Sequence, residues 1–185
     1  SEDYNVLEER VRLCERSGNE HFYIERPTEA EKSFILLNIK HGVEPFRFHH
    51  KDSSILEEVA SLGHFLIFKE SVKKGAKVFL TGHGGDEVLS NYSLSMDFSN
   101  LKKIFPWENF YGNKQRDFLG QVDRLSGYFG IESRYPFLDK SFVQSFLKLK
   151  TYLKNKHYKQ VFHEYLTQSG MPFTLRYKTG IGKDF

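Results

Sequence analysis

The residues best able to do chemistry lie in one stretch, Thr81-Gly82-His83-Gly84-Gly85-Asp86-Glu87. His83 carries a ring that titrates near neutral pH and can take or give a proton. Gly82, Gly84 and Gly85 let the backbone turn sharply and approach a ligand closely. Asp86 and Glu87 stand where such a turn hands over to a helix. Val78-Phe79-Leu80 reads as a short buried strand leading in. Strand, glycine turn, helix is the order that places chemistry at the carboxyl end of a parallel strand. The same residues also suit a plain strand-to-helix connection with a polar surface.

The flanking elements must hold that turn in place. Apolar spacing predicts a helix from about Asp3 to Arg16, ended by Ser17-Gly18-Asn19. His21-Phe22-Tyr23-Ile24 predicts a strand closed by Pro27. Thr28 and Glu31 form a capping box opening a helix to about Lys40. Its Phe34, Leu37 and His41 share one face, with Ile35 and Ile39 beside it. A third helix runs from Ser53 or Ser54 to about Lys74, with Leu56, Val59, Ala60, Gly63, Ile67 and Ser71 inward. After the turn, helix is predicted from Glu87 to Tyr92, and an irregular connection from Met96 to Asn109 holding Pro106 and Trp107. Arg116 to Phe129 predicts a helix with Phe118, Leu119, Val122 and Leu125 inward. Pro136 pushes Tyr135 out of the helical region, so 130–139 reads as extended. Asp139 is an N-cap for a helix from Lys140 to Leu149. A last helix is predicted from about Asn155 to Gln168, followed by a basic, glycine-rich tail.

At 185 residues the chain suits one domain, read here as 1–185. A 39% hydrophobic, 28% charged composition excludes a disordered chain. The net charge of +3 comes without a dense basic run, so nucleic acid is not expected as a partner. No apolar run approaches a membrane span. The lone Cys14 excludes an internal disulfide and fits a reducing, cytoplasmic compartment. Opening on Ser1 rather than Met reads as a processed piece or fragment. His49, His50 and His64 match no metal-site spacing. Phe65 to Phe68 read as helix core, and Lys154 and Lys156 as a solvated helix face.

Four blocks in order carry a family resemblance. Thr81 to Val88, followed by Asn91-Tyr92, resembles the Ser-Gly-x-Gly-Ala/Gly-Asp-Glu signature of the asparagine synthetase family. Asp123-Arg124-Leu125-Ser126 and Gly130-Ile131-Glu132-Ser133-Arg134-Tyr135-Pro136-Phe137-Leu138-Asp139 resemble its third block. Lys159-Gln160-Val161-Phe162 resembles a later block, with His163 where Arg is usual. Arg176-Tyr177-Lys178-Thr179-Gly180-Ile181 resembles the final one.

The resemblance implies an α/β chain, an ATP-pyrophosphatase-type parallel sheet remnant with a predominantly helical C-terminal region. It implies ATP-dependent amide formation through an acyl-adenylate, with ATP and Mg²⁺ as cofactors and a carboxylate and an amine as substrates. Thr81, Gly82 and Lys178 would bind nucleotide, and Asp86 would hold Mg²⁺. Lys159 would stabilise charge on pyrophosphate and the tetrahedral intermediate. Glu87, Asp123, Glu132 and Arg134 fall in the substrate region.

Two departures bear on that reading. The family's pyrophosphate loop, Ser-Gly-Gly-x-Asp-Ser, has no counterpart here; Ser17-Gly18-Asn19 comes nearest. An upstream segment or partner chain supplies it, or the protein is a degenerate, non-catalytic binding or scaffold module. The second is His83, where asparagine-making members carry Glu and β-lactam-forming members Tyr. Lasso-peptide cyclases can carry Gly-His-Gly-Gly-Asp, which points to an amine larger than ammonia. As a base His83 would take the proton of the attacking amine, with Asp123 orienting its ring. The plainer alternative is that His83 hydrogen-bonds the turn.

Overall fold

The structure, a computed structural model, describes residues 4–44, 59–89, 110, 113–154 and 159–171. The elements expected near residues 45–58, 90–109, 155–158 and 172–185, Lys178 included, lie outside them.

Helix α1 spans Tyr4–Arg16. Helix α2, Glu29–Gly42, opens on the expected capping box: Thr28 accepts from the Glu31 N–H while the Glu31 carboxylate accepts from the Thr28 N–H. Helix α3 spans Val59–Lys73 and leads through Gly75 into strand β1, Val78–Leu80. Helix α4 is short, Gly85–Leu89, and α5 runs Asn113–Tyr128. Strand β2, Glu132–Arg134, precedes a 3₁₀ turn at Pro136–Leu138. Helices α6 (Lys140–Lys148), α7 (Thr151–Lys154) and α8 (Gln160–Gln168) follow. The described chain is mostly helical, with β1 and β2 paired in parallel, Phe79 opposite Ser133. Among the described residues no helix is long and apolar enough to cross a membrane.

The main core lies where α2, α3 and α5 meet. Ile35, Ile39 and Val43 pack with Leu62, Phe65, Phe68, Val122, Leu125 and Ile131. Burial of each such side chain contributes about 1.5–3 kcal/mol. A smaller cluster of Val88, Leu89 and Phe146 joins α4 to α6 and α8 through Leu138, Phe142 and Phe162.

Several sequence expectations are corrected. His21–Ile24 takes no strand pairing; Phe22 and Tyr23 are exposed, with the Lys74 ammonium over the Phe22 ring. On α2 the inward stripe is Ile35, Ile39 and Val43, while Phe34 and Leu37 face out. The i, i+4, i+8 row continues through the C-cap into the core, whereas the rival row ends on exposed His41. On α3 burial surrounds the axis from Ser61 to Phe65, so no single face describes it. Its contact with α5 includes a buried bond from Gln121 Nε2 to Ser61 Oγ at 2.6 Å. Strand β1 is not buried on both sides: Val78 and Leu80 are exposed and Phe79 faces in. Helix α8 begins at Gln160 rather than near Asn155, because Lys159 sits at φ +50° and breaks the helical path. Lys154 is buried rather than solvated; its ammonium donates to the Leu147 carbonyl, in the last turn of α6, at 2.9 Å.

Candidate functional site

The glycine turn begins where β1 runs out. The last ladder bond, Thr81 N–H to the Arg134 carbonyl at 3.0 Å, fixes Thr81 against β2. The chain then reverses: Gly85 N–H donates to the Gly82 carbonyl, and Val88 N–H to Gly84, opening α4. Gly84 is at φ +89°, a conformation that L side chains rarely adopt. A Cβ there would meet the side chain of Leu138, and one on Gly85 would stand 3.1 Å from the Phe137 ring. The sequence run Pro136-Phe137-Leu138 is therefore the wall against which the turn is pressed.

Thr81 and His83 face each other across the turn. Thr81 Oγ1 lies 2.5 Å from His83 Nδ1 and accepts from the His83 N–H at 3.3 Å. The imidazole is thus held by Nδ1. Burial lowers its pKa, opposed by the carboxylates of Glu87 and then Asp86. Glu87 itself is buried beneath the turn. A ring that burial keeps neutral, with carboxylates near enough to favour its charged form, has the electrostatics of a proton acceptor.

Asp86 forms an ion pair with Lys159, both side chains about a quarter exposed. Lys159 is the one non-glycine residue at positive φ among the described residues. Such a conformation costs on the order of 1–3 kcal/mol. Its side chain reaches from the start of α8 back to the start of α4. The structure therefore joins two expected site residues 73 positions apart in sequence.

Asp123, Glu132 and Arg134 form a separate group. Asp123 accepts from the Tyr135 hydroxyl, so Thr81 and not Asp123 holds the His83 ring. Burial, and then that hydrogen bond, push the Tyr135 phenol above its usual range. Glu132 and Arg134, two residues apart on one face of β2, pair at 3.0 Å in solvent. Nearby, Ser126 ties the end of α5 to β2: its carbonyl accepts from Ile131 N–H and its hydroxyl donates to the Asp123 carbonyl.

Two residues beside the turn have a place that the sequence does not announce: Tyr135, and His64, which the sequence shows only as lacking a metal-site spacing. Tyr135 was read only for its backbone. His64, on α3, is buried with its ring centroid 5.1 Å from that of His83. Its signal was a lone histidine ahead of the apolar run Phe65 to Phe68.

Residues 112–178 match the family model described as asparagine synthase. That span contains Asp123, Glu132, Arg134, Lys159 and Lys178, and leaves out the glycine turn. A mouse protein named asparagine synthetase domain-containing protein 1 is 41% identical over 83 residues, 42% of this chain and 13% of its own length. Its human namesake is 40% identical over 92 residues, 45% of this chain and 14% of its own. A glutamine-hydrolyzing asparagine synthetase of Arabidopsis thaliana is 30% identical over 111 residues, 58% of this chain and 19% of its own. The chain thus spans less than a fifth of the length of these relatives. Residues 112–178 are thus similar to the asparagine synthase family, and the matched parts of the chain resemble short stretches of these relatives.

Proposed function

We propose that this chain is part of an ATP-dependent amide ligase that works through an acyl-adenylate. A substrate carboxylate oxygen attacks the α-phosphorus of ATP and pyrophosphate leaves. An amine then attacks the acyl carbon, gives up a proton, and AMP leaves. The Asp86–Lys159 pair at the mouth of the glycine turn carries this reading. It holds one anion and one cation at the carboxyl end of a parallel strand, where phosphates bind in open α/β sheets. On this reading β1 and β2 belong to an ATP-pyrophosphatase-type sheet.

The pair separates when nucleotide enters. Lys159 turns its ammonium to the phosphate oxygens and stabilises the charge that develops there. Asp86 would hold Mg²⁺. Among the described residues no group of three or more His, Cys, Asp or Glu could hold an ion. That suits an ion carried largely by phosphates, since Mg²⁺ commonly takes one or two carboxylates and fills its shell with phosphate and water. Mg²⁺ bound there would neutralise phosphate charge. Thr81 and Gly82 would contact the adenylate; the role of Lys178 in binding pyrophosphate rests on the family resemblance alone, since that residue lies outside the described ones. The pyrophosphate loop comes from an upstream segment or a partner chain.

His83 takes the amine's proton in the second half-reaction. Burial keeps the ring neutral beforehand, and Glu87 and Asp86 favour the imidazolium that forms. Glu132 and Arg134 present hydrogen-bonding groups to the acyl substrate from β2.

The test is exchange of labelled pyrophosphate into ATP by the complete enzyme in the presence of its acyl substrate. Asp86→Asn is expected to abolish exchange with the fold intact by circular dichroism. Normal exchange in that variant would remove Asp86 from the metal. No exchange in the unmodified enzyme would leave a non-catalytic binding module.

A further inference from the structure

His64 takes no part in the reading above, yet it lies behind the ring on which the second half-reaction depends. It is 3% exposed, and its Nδ1 is buried with no hydrogen-bond partner. A buried, unpaired polar atom costs on the order of 1–3 kcal/mol. A phenylalanine would fill a similar space without that cost. The ring also belongs to an aromatic column that ends on His83. Phe79, the inward residue of β1, meets Phe68 edge to face at 5.0 Å between centroids. Phe68 stacks on His64 at 6.3 Å and 24°. His64 then meets His83 at 5.1 Å and 52°. Strand, helix and turn are thus joined by four rings in contact.

The His83 ring therefore has two supports of different kinds. Thr81 holds one ring atom, and the buried His64 ring packs at a 52° tilt against the His83 ring. Together these contacts define the ring plane and so the direction in which the remaining nitrogen, Nε2, points. Water is excluded from the side that His64 occupies.

We infer that His64 is a positioning residue for His83: it backs the imidazole at the inner end of the glycine turn, fixes its plane and keeps water from its buried side. This rests on the proposal that His83 is the base for amide formation. His64 stays neutral through the working range, since burial, and then the neighbouring His83, lower its pKa to about 3. The charged and titratable groups bearing on His83 are then His64 from α3 and Glu87 and Asp86 from α4, with Asp86 also paired to Lys159 at the start of α8.

The experiment uses the complete enzyme with His64→Ala, His64→Gln and His64→Phe. Misplacing a reacting group by about an ångström can cost on the order of 10²-fold. His64→Ala and His64→Gln are expected to slow amide formation roughly ten-fold at unchanged pyrophosphate exchange. They should also raise the pKa of His83 followed by NMR, because water reaches the ring. His64→Phe should restore the His83 pKa and most of the rate. If His64→Ala fails to fold, His64→Gln, which keeps most of the volume, provides the comparison. The inference is overturned if a ring-less variant leaves the His83 titration unchanged, or if His64→Phe behaves as His64→Gln does. Loss of the base role would appear separately, as normal amide formation in His83→Ala, while the NMR comparison would still decide whether His64 shields the ring.

Discussion

Gly84→Ala should be among the most damaging single-methyl additions in the described chain, and its cost can be built from two parts. The backbone there is at φ +89°. Placing a Cβ on a left-handed residue costs about 1–2 kcal/mol. The new methyl would also stand 2.5 Å from Leu138 Cγ and 3.1 Å from its Cδ1. Leu138 cannot retreat freely, because it packs against the Val88, Leu89 and Phe146 cluster. Overpacking of this kind adds about 1–3 kcal/mol. The sum is about 2–5 kcal/mol. For a chain of this length that lowers the melting temperature by about 4–20 °C.

Gly85→Ala is the internal control. Its Cβ would meet the Phe137 ring at 3.1 Å, but Gly85 has no positive φ and begins α4, where alanine is favoured. Urea melts of both variants separate backbone strain from crowding. Leu138→Ala in the Gly84→Ala background should recover about 1–3 kcal/mol in a double-mutant cycle, leaving the backbone part behind. A Gly84→Ala protein within about 1 kcal/mol of the unmodified one would refute the left-handed turn and the Leu138 wall together.

Three further outcomes are expected. His83→Ala should keep pyrophosphate exchange and lose amide product by roughly 10²–10⁴-fold, the usual worth of a positioned base, measured as the two half-reactions separately. His64 should make the fold acid-sensitive: unfolded it binds a proton below about pH 6.5 and folded only near about 3, so unfolding takes up a proton and stability falls by about 2 kcal/mol on going to pH 5. His64→Phe should flatten that part of the stability curve in acid titrations of the melting temperature. Tyr135 works at the other end: its folded phenol ionises well above the unfolded value of about 10, so stability is lost as pH rises past 10, and Tyr135→Phe should remove that loss in alkaline melts.

What could be read from the sequence was whatever is encoded locally. The Thr28 capping box and the Asp139 N-cap depend on side chains two or three residues from the groups they satisfy, and both are present as expected. The glycine turn was visible because positive φ demands glycine at Gly84. The choice of inner face on α2 was not visible, since Ile35–Ile39 and Phe34–Leu37 are both apolar pairs at helical spacing. Only the position of α3 decides between them. The break before α8 was hidden for a related reason. Lysine has no preference for φ +50°, so nothing in Asn155 to Gln160 announces it.

The same division runs through the site. Residue types at Thr81, His83, Asp86 and Lys159 could be picked out one by one, but their pairings are long-range or geometric. Asp123 looked free to orient His83 until Tyr135, twelve residues on, took its carboxylate. Thr81 was expected only as a nucleotide contact, yet its hydroxyl is what holds the ring. A threonine hydroxyl reaches residue i+2 within a single turn, and here Thr81 Oγ1 meets both the His83 N–H and its Nδ1. The Lys159–Asp86 pair has the opposite character. Nothing local draws them together; α6, α7 and the fold of α8 onto Phe137 and Phe142 bring Lys159 back to the turn. A backbone conformation unfavourable for lysine is then kept, because the ammonium has a carboxylate to reach. If phosphate oxygens take over that ammonium, Asp86 is released at the same moment. On the proposed function, nucleotide binding and exposure of the Asp86 carboxylate would be coupled, because the Lys159 ammonium would serve both.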